Sequence, residues 1–189
     1  MILENLLKNH QSVFATLPSL VPVVEQSCDL MTSCLHNDGK IMFCGNGGSA
    51  ADSQHLAAEF VGRFVDDRPP LSALALSTDT SILTCIGNDY GYEYVFARQV
   101  VAIGRRGDVL VAISTSGNSA NVILAVQEAK KRGIKVIGML GRDGGALKEL
   151  VDIAIVVPSN ITANIQEAHI FLGHCFCSMI EQRLGYTRS

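Results

Sequence analysis

Apolar positions along this chain change period repeatedly, and each change marks a new element. Near the amino terminus Leu3, Leu6, Leu7, Val13 and Phe14 recur at helical spacing. A second helical stripe runs through Leu20, Val23, Val24, Ser27, Leu30, Met31, Cys34 and Leu35, until Asn37, Asp38 and Gly39 end it. Pro18 and Pro22 mark the turn and the start between these two helices. The pattern then shortens into apolar runs at 40–44 (KIMFC), 71–77, 108–114, 134–140 and 152–157, which read as five strands. Helical stretches separate them at 49–64, 81–86, 92–103, 118–132 and 146–150. Strands alternating with helices at this spacing imply parallel pairing through right-handed crossovers. The expected fold is therefore α/β: a three-layer αβα sandwich around a parallel sheet of about five strands. Ligands of such sheets bind beyond the strand carboxyl ends.

From Ile161 onward a long final helix carries Ile170, Phe171, Leu172, Cys175, Phe176, Cys177, Met179 and Ile180, with almost no polar face. It is too short to span a bilayer and must be buried on most sides. The expectation is a homo-oligomer with this helix and the amino-terminal pair in the interface. The 189 residues fit one domain, with 1–36 as amino-terminal helices and 37–189 as the α/β core and closing helix.

Composition narrows the function classes. Apolar residues make up 48 % of the chain, enough for a core without staples. A net charge of −3, with Lys and Arg scattered, offers no basic stripe for nucleic acid and no polybasic membrane patch. The segment MILENLLKNHQSVFATL is interrupted by Glu4, Lys8 and His10, so it reads as neither a signal peptide nor a membrane span. A cytoplasmic protein is expected. The six cysteines match no zinc or redox spacing and read as reduced core residues.

Two turns carry candidate chemistry. After the first strand come Gly45, Asn46, Gly47, Gly48 and Ser49, which let the backbone approach a ligand at the positive end of the next helix. A plain strand-to-helix turn with Ser49 as N-cap is the simpler reading. After the 108–114 strand, Ser114, Thr115, Ser116 and Ser119 place four hydroxyls around Gly117, enough to surround a phosphate without Lys or Arg. An N-cap needs only one. His55 and Glu59 share a helix face at i and i+4, as a divalent-metal pair, an acid/base couple or a solvated face. The last helix adds Gln166, Glu167, His169 and His174. Gln166 and His174 lie about 12 Å apart along a helix axis, so they meet one atom only by leaning in from either end. Otherwise His174 is a hydrogen-bonded core histidine.

The stretches GNGGSAADSQH, TDTSILTCIGNDYGYEYVFARQV, STSGNSANV, GRDGG and IQEAH, with His174 in register, resemble the sedoheptulose 7-phosphate isomerase (phosphoheptose isomerase) family, which is a single sugar-isomerase (SIS) domain. The likeness spans nearly the whole chain. It implies interconversion of sedoheptulose 7-phosphate with D-glycero-D-manno-heptose 7-phosphate through an enediol, supplying heptose for lipopolysaccharide or other surface glycans. It also implies a cytoplasmic homotetramer with sites between protomers and a zinc ion. By position, Gly47, Gly48, Ser49, Ser114, Thr115, Ser116 and Ser119 would line the phosphate seat, while Asn46, Asn88, Asp89, Glu59 and Gln166 would contact substrate. His55, Glu59, Gln166 and His174 would hold the metal, with Glu59 and His174 as the catalytic proton-transferring pair. One departure is Asn164, where many relatives carry Arg; there Asn keeps only neutral hydrogen bonds.

Two rivals remain at this point. Some proteins of this build bind a replication initiator and catalyse nothing, although such members tend to lack part of the acid/base set. Gly45, Gly47 and Ala50 also satisfy a G-x-G-x-x-A dinucleotide fingerprint, but no acidic residue follows at the required distance and no second domain is expected.

Overall fold

The computed structural model describes residues 1–186. Helices α1 (Ile2–Phe14) and α2 (Val21–His36) precede strand β1 (Ile41–Cys44), and a 3-10 turn at Leu17–Leu20 joins them. There follow α3 (Gly48–Val61), β2 (Ala73–Ala75), α4 (Thr80–Asp89) and α5 (Ala97–Ile103). The chain then builds β3 (Val109–Ser114), α6 (Ala120–Lys131), β4 (Lys135–Gly141), β5 (Ile153–Val157) and the long α7 (Thr162–Arg183). The sheet has five parallel strands in the order β2-β1-β3-β4-β5. The strand expected at 71–77 is only three residues long, and the helix expected at 92–103 splits into a 3-10 turn at Tyr92–Tyr94 and α5.

Side chains alternate across the pleat, so each strand feeds two cores. Ile41, Phe43, Val109, Val111, Ile113, Ile137, Met139 and Ile155 face α2, α3 and α7. Met42, Leu110, Ala112, Val136 and Leu140 face α4, α5 and α6. Four cysteines (Cys28, Cys34, Cys44 and Cys177) are buried and none is bridged; burial pushes the thiols of Cys28 and Cys44 up to about 12, which keeps them protonated.

The strand order places the functional end. From β1 the chain moves outward to β2, then returns past β1 to β3, so the turns after β1 and β3 leave the sheet in opposite directions. A crevice opens between them at this switch point. Both candidate phosphate turns lie there. The final helix is less enclosed than its composition suggests: one face is buried through Ile165, His169, Leu172, Phe176 and Ile180, whereas Phe171 is 44 % exposed. On α1, Met1, Ile2, Leu3, Leu6 and Leu7 face solvent. No helix among the described residues is long and apolar enough to cross a membrane.

Candidate active site

The two turns are tied to each other by side chains. Asn46 and Asn121 exchange a pair of amide hydrogen bonds, each 2.8 Å long, and the Tyr92 hydroxyl donates to Asn46 Oδ1 at 3.3 Å. The sequence reading missed Asn121 and Tyr92. An Asn one residue into the helix after the hydroxyl run was the available signal. The pairing commits one Asn46 N–H and its carbonyl oxygen to holding the crevice.

On the β3 side, Ser114 is buried while Thr115, Ser116 and Ser119 are half-buried, and the Ser114 and Ser119 hydroxyls lie 3.1 Å apart. Gly117 turns the loop with φ +66°; a Cβ there would stand 1.9 Å from the Gly144 carbonyl oxygen. The GRDGG segment thus backs the cradle, with Leu147 N–H donating to Gly117 O and Ala146 N–H to Asn118 Oδ1. On the β1 side Gly47 is the N-cap of α3 with φ +55°, and Ser49 lies buried inside the first turn. That replaces the simpler reading of Ser49 as N-cap, since only glycine adopts this conformation cheaply. The positive dipole end of α3 at Gly48 and Ser49 favours an anion, although the Ser49 N–H already donates to the Asn46 carbonyl at 3.0 Å. An open hollow of about 380 Å³, lined by Asn46, Tyr92, Glu93, Ser119, Ala120 and Asn121, adjoins the cradle.

The distant residues converge on the other flank. His55 Nε2 and His174 Nε2 are 2.9 Å apart, so one imidazole donates and the other accepts. Glu59 Oε1 lies 3.4 Å from His55 Nε2. Gln166 reaches the start of α3, where a Cβ on Gly48 would come within 2.4 Å of its amide nitrogen. Gln166 and His174 thus meet α3 at separate places, Gln166 beside Gly48 and His174 beside His55, rather than leaning in on one point, and His174 is half-buried rather than a core histidine. The buried histidine of this helix is His169, whose Nε2 donates to Leu140 O at 3.1 Å. Burial lowers its pKa to about 4. Asp52, one turn before His55, was not anticipated; burial raises its pKa against the attraction of His55, and its Oδ2 has no partner among the described residues.

Not every expected residue joins this cluster. Asn88 and Asp89 hydrogen-bond to each other at 2.8 Å at the end of α4, and no hydrogen bond connects them to either turn among the described residues. The Asn164 amide nitrogen is buried without a partner there, contrary to the expected neutral hydrogen bonding.

With this geometry in hand, comparison with known proteins decides the family. The SIS domain model matches residues 9–141. A phosphoheptose isomerase of Nitratiruptor sp. is 64 % identical over 148 residues, covering 78 % of this chain and 79 % of that protein. The chain belongs to the phosphoheptose isomerase family. Phosphoheptose isomerase of Helicobacter pylori strain P12 is 50 % identical over 186 residues, covering 98 % of this chain and 97 % of its own. The solved phosphoheptose isomerase of Neisseria gonorrhoeae superposes with a TM-score of 0.88 at 49 % identity, covering 96 % of this chain and all of that one.

The resemblance to this family implies a zinc ion, and the donor set can be tested against it. Donors of a tetrahedral zinc stand roughly 3.3 Å apart, given bonds of about 2.0–2.2 Å. The separations of 2.9 Å between imidazoles and 3.4 Å to the carboxylate bracket that value. No group of three His, Cys, Asp or Glu side chains placed to hold a metal exists among the described residues, and the two imidazoles are hydrogen-bonded to each other. Opening that one hydrogen bond would free two imidazole nitrogens beside the Glu59 carboxylate, a set that suits a divalent cation, while the Gln166 carboxamide lies nearer the start of α3, against Gly48.

Proposed function

We infer that this chain is an aldose-ketose isomerase acting on sedoheptulose 7-phosphate, yielding D-glycero-D-manno-heptose 7-phosphate. The observation that carries the reading is the convergence of His55, Glu59 and His174 from opposite ends of the sequence beside α3, which also opens at the phosphate-binding crevice. Relatives bearing the name phosphoheptose isomerase support it along nearly the full chain.

The chemistry assigns roles. The 7-phosphate lies at the amino end of α3 and among Ser114, Thr115, Ser116 and Ser119, held by dipole and hydroxyls rather than by fixed cations. That leaves the sugar carbonyl end to reach the α3–α7 cluster. The Glu59 carboxylate removes the proton from C1, giving an enediol, and a proton returns at C2 while His174 exchanges protons with the neighbouring oxygens. Gln166 orients the substrate hydroxyls. His55, Glu59, Gln166 and His174 would hold zinc, whose contribution when bound is to polarise the carbonyl as a Lewis acid.

Oligomerisation belongs to the same proposal. Exposed apolar residues on α1, and an apolar hollow of about 450 Å³ lined in part by Phe14, Leu17, Val21, Phe171 and Met179, support a homotetramer. Asn88 and Asp89, set apart within one subunit, would serve a site completed between protomers. The enzyme would act in the cytoplasm and supply heptose for surface glycans.

The test is direct. Purified protein incubated with sedoheptulose 7-phosphate, with and without added zinc, should form the aldose, and Glu59→Gln and His174→Ala should not. Wild-type inactivity under both conditions would favour the non-catalytic phosphosugar- or initiator-binding alternative.

A further inference from the structure

Helices α3 and α7 run side by side in the same direction at a nearly constant offset. Gly48 meets Gln166, a Cβ on Gly173 would stand 2.5 Å from Leu56 Cδ2, and His55 meets His174. Every candidate group on this flank depends on that register, yet helix-to-helix packing alone permits sliding by a residue or a turn. At the far end of both helices a buried ion pair fastens them. Arg68 and Glu181, both with side chains only 1 % exposed, are joined at 2.7 Å from Arg68 Nε to Glu181 Oε1.

The guanidinium does more than pair. Nη2 donates to the Glu59 carbonyl at 2.8 Å, and Nη1 donates to the carbonyls of Phe60 at 2.7 Å and Pro69 at 3.0 Å. Glu59 and Phe60 lie in the last turn of α3, whose carbonyls have no partner within the helix and carry its negative dipole end. Glu181 in turn accepts from the Phe64 and Val65 N–H groups, folding the segment after α3 against α7. Glu181 stands seven residues after His174, on the same face of α7 and about 10.5 Å along it. Cys177 lies between them; burial above all raises its thiol pKa, with smaller contributions from the charges of Glu59, Glu181 and Arg68. One rigid, planar five-donor group therefore ties the backbone of the proposed base to the helix that carries the proposed acid.

We propose that Arg68 and Glu181 are positioning residues, which set the axial register of α3 against α7 and so hold Glu59 and the His55–His174 pair at working distance. The proposal rests on the isomerase reading for its kinetic consequence, but not for its structural one. A displacement of about 1 Å at reacting groups costs on the order of 100-fold in rate. Lysine preserves the charge of Arg68 but cannot reach Glu181 and two α3 carbonyls at once. Glutamine at 181 keeps an acceptor but leaves the guanidinium without its counter-charge.

The experiment compares Arg68→Lys and Glu181→Gln with wild type well below their melting temperatures. The expected result is a kcat lower by about 10- to 100-fold, with KM for sedoheptulose 7-phosphate and calorimetric affinity for inorganic phosphate within about threefold. In chelator-treated, metal-free protein the imidazole ¹⁵N signals of His55 and His174 should move away from the paired N–H···N pattern in both variants. Rates that fall only with the folded fraction, KM rising in step with the loss of kcat, or unchanged imidazole signals would overturn the proposal. If one variant fails to fold, the other decides. If wild type does not isomerise the substrate, the functional reading fails, and the imidazole signals alone judge the positioning role.

Discussion

The two flanks of the crevice are built by opposite strategies. The hydroxyl cradle comes from one contiguous segment, Ser114 to Ser119, whose shape is set by the end of β3, the start of α6 and one glycine with φ +66°. The reactive flank joins residues more than a hundred positions apart, His55 to His174, and exists only while two long helices keep their register. A local device tolerates drift elsewhere in the molecule, whereas a long-range one is sensitive to anything that shifts α7. Binding and turnover should therefore fail separately, and perturbations of each flank can test whether they do.

Among changes to packing and backbone, the largest expected effect is on the cradle. In Gly117→Ala the new Cβ would collide with the Gly144 carbonyl at 1.9 Å on a backbone that L-residues avoid. Strain and overpacking together cost about 3 kcal/mol. Calorimetry should show phosphate affinity falling by about 100-fold, while the imidazole signals of His55 and His174 stay in place.

Acid should act next, through α7. The folded-state pKa of His169 is lowered to about 4 by burial, against about 6.5 when unfolded, so the unfolded chain takes up more protons between these values. Stability from this group is intact above about pH 6.5 and is lost as pH falls toward 4, amounting to about 2 kcal/mol by pH 5. Thermal unfolding should follow that slope, and in His169→Gln the slope should flatten. Because His169 holds α7 to β4 through Leu140 O, turnover should decline over this range before phosphate binding does.

Gly173→Ala gives a smaller and opposite signature. Alanine is the better helix former by about 1 kcal/mol, but its methyl group must displace Leu56, 2.5 Å away. A net loss of about 10-fold in kcat with unchanged KM is expected, measured by steady-state kinetics. Ser116→Ala should be the mildest, removing one hydroxyl worth about 1 kcal/mol and raising KM about fivefold with kcat retained.

The same contrast explains what the amino-acid pattern could reveal. Five strands, their parallel pairing and the hydroxyl-rich turn were legible, because short apolar runs, glycines and clustered hydroxyls are local signals. His55 and Glu59 were legible as a pair at i and i+4. The meeting of His55 with His174 was suggested by family resemblance, since no local property of α3 states which turn of α7 it will face, and Gln166 faces Gly48 instead. Arg68 was overlooked in a polar-looking DDRPP segment, although it is the most deeply set cation of this flank. Glu181 did leave a trace: a charge on the apolar stripe of Phe176, Cys177 and Ile180, one heptad after His174. Asn121 and Tyr92 escaped because amide pairing across a crevice depends on strand order, which periodicity does not contain.

The division of labour is tested most directly by measuring substrate binding and turnover together in Glu59→Gln. Calorimetry with sedoheptulose 7-phosphate should give an affinity within a few-fold of wild type, while aldose formation falls by at least about 1,000-fold. Retained turnover, or binding lost in proportion to rate, would contradict a cradle that binds and a helix pair that reacts.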